Sequence, residues 1–246
     1  MRADQLLVSH GLAATRSQAQ RLIAAGVRWF DGACWHDVAK NGDELPEGAK
    51  FELLDASETK YVSRGGLKLE GALRTARLDV RGKRCLDVGQ STGGFTDCLL
   101  AHGAAHVTGV DVGHGQLQER LRGDPRVTVF EKLNARDLTA QQVGGPFDAI
   151  AGDLSFISLT LVLPALVPML RATGDLLLLV KPQFELDCSR IGKRGVVRDP
   201  ADYAQVEGRL RDCCAASGLC VAAWFESGIA GGDGNREFFI HARRSA

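Results

Sequence analysis

The sequence has no excess of either charge: its 30 basic and 30 acidic residues cancel over 246 positions, so only local clustering could argue for a polyanion partner. Its seven cysteines (Cys34, Cys85, Cys98, Cys188, Cys213, Cys214 and Cys220) are odd in number and contain no C-x-x-C pair. Neither a disulfide framework nor a zinc site is indicated, and no metal is expected. Met1-Arg2-Ala3-Asp4 does not lead into the apolar core of a signal peptide, so a cytoplasmic location is expected. The greasiest stretch, Ile157 to Val180, is interrupted by Pro164, Pro168, Arg171, Gly174 and Asp175, whereas a membrane span needs about 20 predominantly apolar residues. A buried helix followed by a buried strand is expected there, and no membrane partner. Internal repeats and low-complexity segments are absent, as is the G-x-G-x-x-G spacing that seats a dinucleotide pyrophosphate. What remains is 45% hydrophobic residues, enough for one domain of ordinary size and a small one.

The most informative stretch is Arg84-Cys85-Leu86-Asp87-Val88-Gly89-Gln90-Ser91-Thr92-Gly93-Gly94-Phe95-Thr96. An apolar run closes on an acid, breaks into a Gly/Ser/Thr turn and resumes as a helix, a strand-loop-helix order that puts the loop at the ligand-binding edge of a parallel sheet. His106-Val107-Thr108-Gly109-Val110-Asp111 ends in a second acid about 20 residues later, the distance expected of a ribose-binding carboxylate. Asp87 before the turn would repel a diphosphate but attract the ammonium and sulfonium of S-adenosylmethionine. The methyl donor is therefore the expected cofactor, held by Asp87, Gly89, Ser91, Thr92, Gly93, Gly94, Phe95 and Asp111. A glycine-rich turn needed only for packing would look similar at this point.

Further strands are expected at Val127 to Phe130, Phe147 to Ala151, Asp175 to Val180, Val221 to Phe225 and Glu237 to Ile240. Strands alternating with helical stretches give an α/β fold with a doubly wound, mostly parallel, Rossmann-like sheet over residues 60–246. The last strand follows a short turn at Gly231-Gly232-Asp233-Gly234-Asn235 and should run antiparallel to its neighbours. A helix opening at Leu67 carries Lys68 at its start. Ahead of it, Asp55 to Thr59 reads as a linker, and residues 1–54 as a separate module ordered helix, helix, short strands. Lys60, Arg64, Lys68, Arg74, Arg77, Arg81, Lys83 and Arg84 make the run before the first strand of the sheet basic, which fits a solvated helix face as well as a nucleic-acid contact.

Four ionisable residues converge on one sheet edge in this reading: Lys68 at a helix start, Asp153 and Lys181 at strand ends, and Glu237 at the start of the antiparallel strand. Each alone could be a surface charge or a structural ion pair. Asp153-Leu154-Ser155-Phe156 lacks the Pro-Pro-aromatic signature that grips an amino group on a base, and no Pro-Cys dipeptide supplies a nucleophile toward a cytosine ring carbon. A Lys/carboxylate set suits a ribose hydroxyl, a weak acid that must lose its proton as it attacks a methyl carbon. Lys181 would take or steer that proton, with Asp153 and Glu237 holding its amine in line, or stay charged and stabilise the alkoxide.

Two resemblances add to these readings. Thr15-Arg16-Ser17-Gln18-Ala19-Gln20-Arg21-Leu22-Ile23-Ala24-Ala25-Gly26 resembles the alpha-L (S4-like) RNA-binding module of a small-subunit ribosomal protein. Five further strings belong to a second resemblance that covers nearly the whole chain: Tyr61-Val62-Ser63-Arg64-Gly65-Gly66-x-Lys68-Leu69, Asp87 to Asp97, Val180-Lys181-Pro182-Gln183-Phe184-Glu185, Gly195-Val196-Val197-Arg198-Asp199-Pro200 and Gly234-Asn235-x-Glu237-Phe238. Together they resemble the TlyA family, ribosomal RNA 2'-O-methyltransferases related to FtsJ (RrmJ), some of which have carried the name hemolysin. The resemblance implies a catalytic Lys-Asp-Lys-Glu tetrad at Lys68, Asp153, Lys181 and Glu237, and a cytidine ribose in the RNA of one or both ribosomal subunits as target. Basic residues expected at the RNA are Arg2, Arg16, Arg21, Arg64, Lys193, Arg194 and Arg198. Gln90 stands where a small residue is implied, and His114 where an aromatic one is. A membrane-active cytolysin and a non-catalytic RNA-binding protein are the alternatives.

Overall fold

Apolar runs that close on Asp, Gly or Lys become the strands of a seven-stranded sheet in the computed structural model, which describes every residue except 193, 194, 232, 233, 245 and 246. The chain forms two compact units that divide between Leu67 and Lys68.

In the first unit, α1 (Ala3–Ser9) and α2 (Arg16–Gly26) precede a three-stranded antiparallel sheet of order β2-β1-β3, formed by β1 (Val27–Phe30), β2 (Trp35–Asp37) and β3 (Lys50–Leu53). Thr15 is extended and its hydroxyl accepts the Gln18 N–H at 3.2 Å, which satisfies one open donor at the start of α2. Leu6, Leu7, Ala19 and Leu22 form the buried centre. Beside them the buried Asp4 carboxylate accepts from Arg2 (3.1 Å), Arg16 (2.9 Å) and Gln20 (3.0 Å). The Arg2 hydrogen bond, with help from Gln20 and Arg16, outweighs the cost of burial and holds this carboxyl well below the usual range.

The helix that carries Lys68, α3 (Arg64–Ala76), starts three residues ahead of the Leu67 expected from sequence. The order then runs β4 (Arg84–Val88), α4 (Gly94–Ala101), β5 (His106–Asp111), α5 (Glu119–Arg122), β6 (Val127–Glu131), α6 (Ala140–Val143), β7 (Phe147–Gly152), α7 (Leu163–Leu166), β8 (Leu170–Val180), α8 (Asp202–Ala216), β9 (Leu219–Glu226) and β10 (Phe238–Arg244). The sheet order is β6-β5-β4-β7-β8-β10-β9; β10 is antiparallel to both neighbours, and the pairs among β4 to β8 are parallel. This is the doubly wound α/β arrangement. The chain moves outward from β4 through β5 to β6, then returns to the other side of β4 as β7. Such a reversal opens a crevice at the carboxyl ends of the strands.

Leu176 to Val180 in β8 are all buried, as a strand covered on both faces requires. Between Ile157 and β8 the longer buried helix expected from sequence is cut to the four-residue α7, flanked by single 3-10 turns at Leu159–Leu161 and Val167–Met169. Pro164 and Pro168 lack the N–H that would continue a helix. The strand itself begins at Leu170, five positions before the Asp175 expected. Among the described residues, no helix is long and apolar enough to cross a membrane.

Midway along β8, the buried Asp175 carboxylate accepts from Arg243 (2.7 Å), His241 (2.9 Å) and Lys83 (3.3 Å). Burial alone would raise this carboxyl, but those hydrogen bonds and cationic charges hold it below the usual range. A group with a depressed folded value stabilises the fold above its unfolded value of about 3.9, and the gain is lost as pH falls below that point. Asp175→Asn is expected to cost about 2–3 kcal/mol at pH 7. Urea unfolding should show the gap between wild type and variant narrowing below about pH 4; a gap that stays flat down to pH ~3 would remove the charge from the explanation.

Candidate functional site

The loop after β4 is built by two close approaches that only glycine permits. Gly89 has φ +85, and a Cβ there would lie 2.5 Å from the Asp153 carbonyl oxygen; Gly93 has φ +97, and a Cβ there would meet side-chain carbons of Leu121 and Leu117 at 2.5 and 2.6 Å. The Gly89 and Gln90 N–H groups both donate to Val110 O at 2.9 and 3.1 Å, tying the loop to the end of β5. Asp111 completes the tie: its carboxylate accepts from Ser91 N and Gly113 N, each at 2.7 Å.

A cavity of about 550 Å³ opens beside this loop. Of the residues expected at the cofactor, Gly89, Ser91 and Asp111 line it. Thr92, Gly93, Gly94 and Phe95 are not on its wall. Gly93 precedes α4, Gly94 begins it, and Phe95 stacks on Phe239 of β10 with ring centroids 6.5 Å apart. Asp87 lies beneath the loop with 0% exposure, where its Oδ2 accepts the Thr96 hydroxyl at 2.7 Å. Its Oδ1 is buried and has no hydrogen-bond partner among the described residues. Burial pushes this carboxyl up to about 7, against the pull of the Thr96 hydrogen bonds and with a further push from Asp153 and Asp111.

The sequence reading missed the rest of the wall. Asn134 and Ala135 follow β6 at the same sheet edge, while Leu154 and Phe156 follow β7. The first residues beyond each parallel strand were the available signal. Asn134 accepts the Arg136 N–H at 3.0 Å through its side-chain oxygen. Phe156 is 89% exposed at φ +64, a left-handed conformation costly for a bulky side chain, with its ring 5.0 Å from that of Phe184.

The four ionisable residues form two pairs. Lys68 hydrogen-bonds Glu237, which the sequence reading sets on Lys181 instead, and the two are 7% and 3% exposed. Lys181 Nζ forms an ion pair with Asp153 Oδ1 at 2.6 Å and donates to Ser155 Oγ at 2.8 Å. Phe238 of β10 pairs with Val180 of β8, so Glu237 and Lys181 are the next residues of a registered pair at the same edge, while Asp153 follows Gly152 of β7.

The basic residues are less uniform than the sequence suggests. Arg2 and Arg16 bind Asp4, and Arg21 binds Glu58 at 2.7 Å, so carboxylates already take part of their donor sets. Arg64 begins α3 and Arg198 is exposed; Lys193 and Arg194 lie outside the described residues. The run from Lys60 to Arg84 is not one solvated face, because Lys68 is buried on Glu237, Arg81 pairs with Asp79 at 2.7 Å and Lys83 bonds Asp175.

Gln90 has a structural counterpart in β5. Its carboxamide donates to Thr96 Oγ1 at 2.8 Å and fills the space over Gly109, where a Cβ would fall 1.9 Å from Nε2. Gly109→Ala is therefore expected to destabilise by about 1–3 kcal/mol, the usual cost of overpacking. Adding Gln90→Ala should recover most of it in urea unfolding. A neutral Gly109→Ala would break the coupling.

The FtsJ-like methyltransferase family model matches residues 61–244. The 16S/23S rRNA (cytidine-2'-O)-methyltransferase TlyA of Mycobacterium tuberculosis is 44% identical, over 98% of this chain and 89% of that protein. Hemolysin A of Brachyspira hyodysenteriae is 36% identical over 98% of this chain and 99% of its own length. A solved structure of a hemolysin-named protein from Streptococcus thermophilus superposes with a TM-score of 0.77 at 38% identity, covering 100% of this chain and 88% of that one. The parallel sheet with its reversal at β4, the glycine-built loop and these matches converge: the chain belongs to the FtsJ-like methyltransferase family, and within it to the TlyA proteins.

Proposed function

We propose that this chain uses S-adenosylmethionine to methylate a ribose 2'-hydroxyl of a cytidine in ribosomal RNA, in the cytoplasm. The observation that carries the reading is the pairing of Lys181 with Asp153 at the rim of the cavity, one strand register from Glu237 and its partner Lys68. The names of the TlyA relatives supply the RNA and the cytidine.

The residues present suit the donor. A cavity of about 550 Å³ is within the range of small-molecule sites. Gly89 and Gly93 keep the loop backbone free of side chains, Asp111 offers carboxylate lone pairs to ribose hydroxyls, and the unpartnered Oδ1 of Asp87 suits a cationic neighbour. Asn134 retains its amide N–H donors and sits with apolar Ala135 and Leu154, a setting for a flat, polar-edged base. When bound, the donor supplies an electrophilic methyl group on a sulfonium.

The protein's share of the chemistry is to hold an acceptor oxygen and manage its proton. A protonated Lys181 would have three donors; Ser155 engages one, and Asp153 Oδ1 lies in ion-pair contact, which leaves donor capacity for a ribose oxygen. That contact lowers the energy of a developing alkoxide, and loss of the lysine proton would make the same nitrogen a base. Buried Lys68 and Glu237 neutralise each other, so they fix charge at the edge without adding a net ion. Phe156, exposed at the rim, offers a ring on which a base can stack. Residues 1–54, joined through 55–59, are read as the alpha-L RNA-binding module that orients a large structured substrate.

Lys181→Ala is expected to slow single-turnover methyl transfer by about 10²- to 10⁴-fold with little change in donor affinity. Lys181→Arg should recover little if the proton must leave, because a guanidinium does not give it up; substantial recovery assigns the lysine to charge stabilisation. Asp111→Ala should weaken donor binding by roughly tenfold to a hundredfold in calorimetry. The reading as a whole is tested by incubating each unmethylated ribosomal subunit with the protein and labelled donor, followed by mass spectrometry of the RNA. No label in either subunit, or vesicle lysis without donor, would overturn it.

A further inference from the structure

Glu185 takes no part in the two lysine-carboxylate pairs, yet it is 3% exposed and its carboxylate is fully engaged. Oε2 accepts the Ser158 hydroxyl at 2.6 Å and Arg209 Nη2 at 3.0 Å, while Oε1 accepts the Leu159 N–H at 2.7 Å. Arg209, from α8, also reaches the Glu185 backbone oxygen. These bonds join three segments: the turn that follows Lys181, the connection that leaves β7, and α8.

What that connection carries gives the contact its meaning. Between Gly152 of β7 and Ser158 lie Asp153 and Ser155, the two partners of Lys181, and Phe156 in its left-handed conformation. A non-glycine residue at such a φ persists only where its surroundings hold it, at a cost on the order of 1–3 kcal/mol. At one end the segment is held by the Asp153 N–H on Val88 O at 3.0 Å. At the other it is held by Glu185, through Ser158 and Leu159. Lys181 lies four residues ahead of Glu185, separated by the short Pro182–Phe184 turn, which Glu185 closes by donating its N–H to Pro182 O at 3.0 Å. One carboxylate thus fixes the loop bearing Asp153 and Ser155 relative to the turn bearing Lys181.

We propose that Glu185 is a positioning residue for the acceptor half of the site: it clamps the 153–159 connection to the Lys181 turn, so that Asp153 and Ser155 meet Lys181 in the geometry described. Its role in turnover rests on the methyl-transfer reading above; the clamp itself does not. A carboxylate can accept on both oxygens, from the Leu159 N–H on one side and from Ser158 and Arg209 on the other. An amide of the same shape has a single acceptor oxygen and would set an N–H against a donor on one side.

The test uses Glu185→Gln in the full chain. Amide hydrogen exchange should quicken across residues 154–161, and first at Leu159, whether or not the chain methylates RNA. With saturating donor and ribosomal subunit, single-turnover transfer should fall about 10²-fold, the scale on which a misplacement of about 1 Å acts. Binding of S-adenosylhomocysteine should keep a stoichiometry of one per chain and weaken by less than about tenfold, well short of the rate loss, since Gly89, Ser91 and Asp111 stay in place while Leu154 on the cavity wall loosens. Ser158→Ala removes one of the same bonds from the outer end and carries the test if Glu185→Gln does not fold. Combined, the two substitutions should slow transfer no more than Glu185→Gln alone. Unchanged exchange at 154–161 sinks the clamp. A rate loss matched by lost binding stoichiometry, or multiplying effects in the double variant, reduces Glu185 to a general stabiliser. A wild-type protein that transfers no label to RNA sinks the methyl-transfer reading and leaves the exchange result to decide the clamp.

Discussion

The site depends on the closeness of two strand ends. Gly89 leaves β4 against the backbone of Asp153 as it leaves β7, with no room for a single methyl group between them. That contact puts the wall of the cavity and the first partner of Lys181 on adjacent residues of adjacent strands, so donor and acceptor groups would share one rigid reference. Sheets hold such references better than loops, because neighbouring strands are fixed by hydrogen bonds about 5 Å apart. The remaining features build outward from it: Asp111 holds the loop from β5, and Glu185 holds the far end of the connection from β7.

Much of this was legible in the chain because it is local. Parallel strands buried on both faces are continuous apolar runs, and Leu176 to Val180 could hardly be anything else. Asp111, which ends its strand, and Asp153 and Lys181, which follow theirs, are then placed by topology, since every parallel strand ends at the same edge. Glu237 was reachable for the opposite reason, as the first residue before a strand that runs backward.

What was not legible depends on which side chains meet once the backbone has folded. Asp87 looks like a loop anion and is an enclosed carboxyl, bonded by Thr96, whose hydroxyl is in turn held by Gln90. Arg2, Arg16 and Arg21 read as free cations until Asp4 and Glu58 are seen beside them. Glu185 closes the Val180–Glu185 string, and only the fold brings Ser158 and Arg209 to it. The helix before β8 failed for a local reason that was visible: two prolines at 164 and 168 leave no room for a continuous hydrogen-bond ladder.

The position of β10 has a consequence for how the molecule is made. Phe238–Arg244 is the last strand in the sequence, yet it lies between β8 and β9 and hydrogen-bonds to both. During synthesis β8 waits with an open edge until nearly sixty further residues have been added, and Glu237 arrives only with the strand that covers it. Lys68, made early, stays without its carboxylate over the same interval. A chain released short of this strand would present an unpaired apolar edge, the kind that templates pairing with other chains. The last insertion therefore joins two events that could have been separate: closing the sheet and completing the charged pair at its edge.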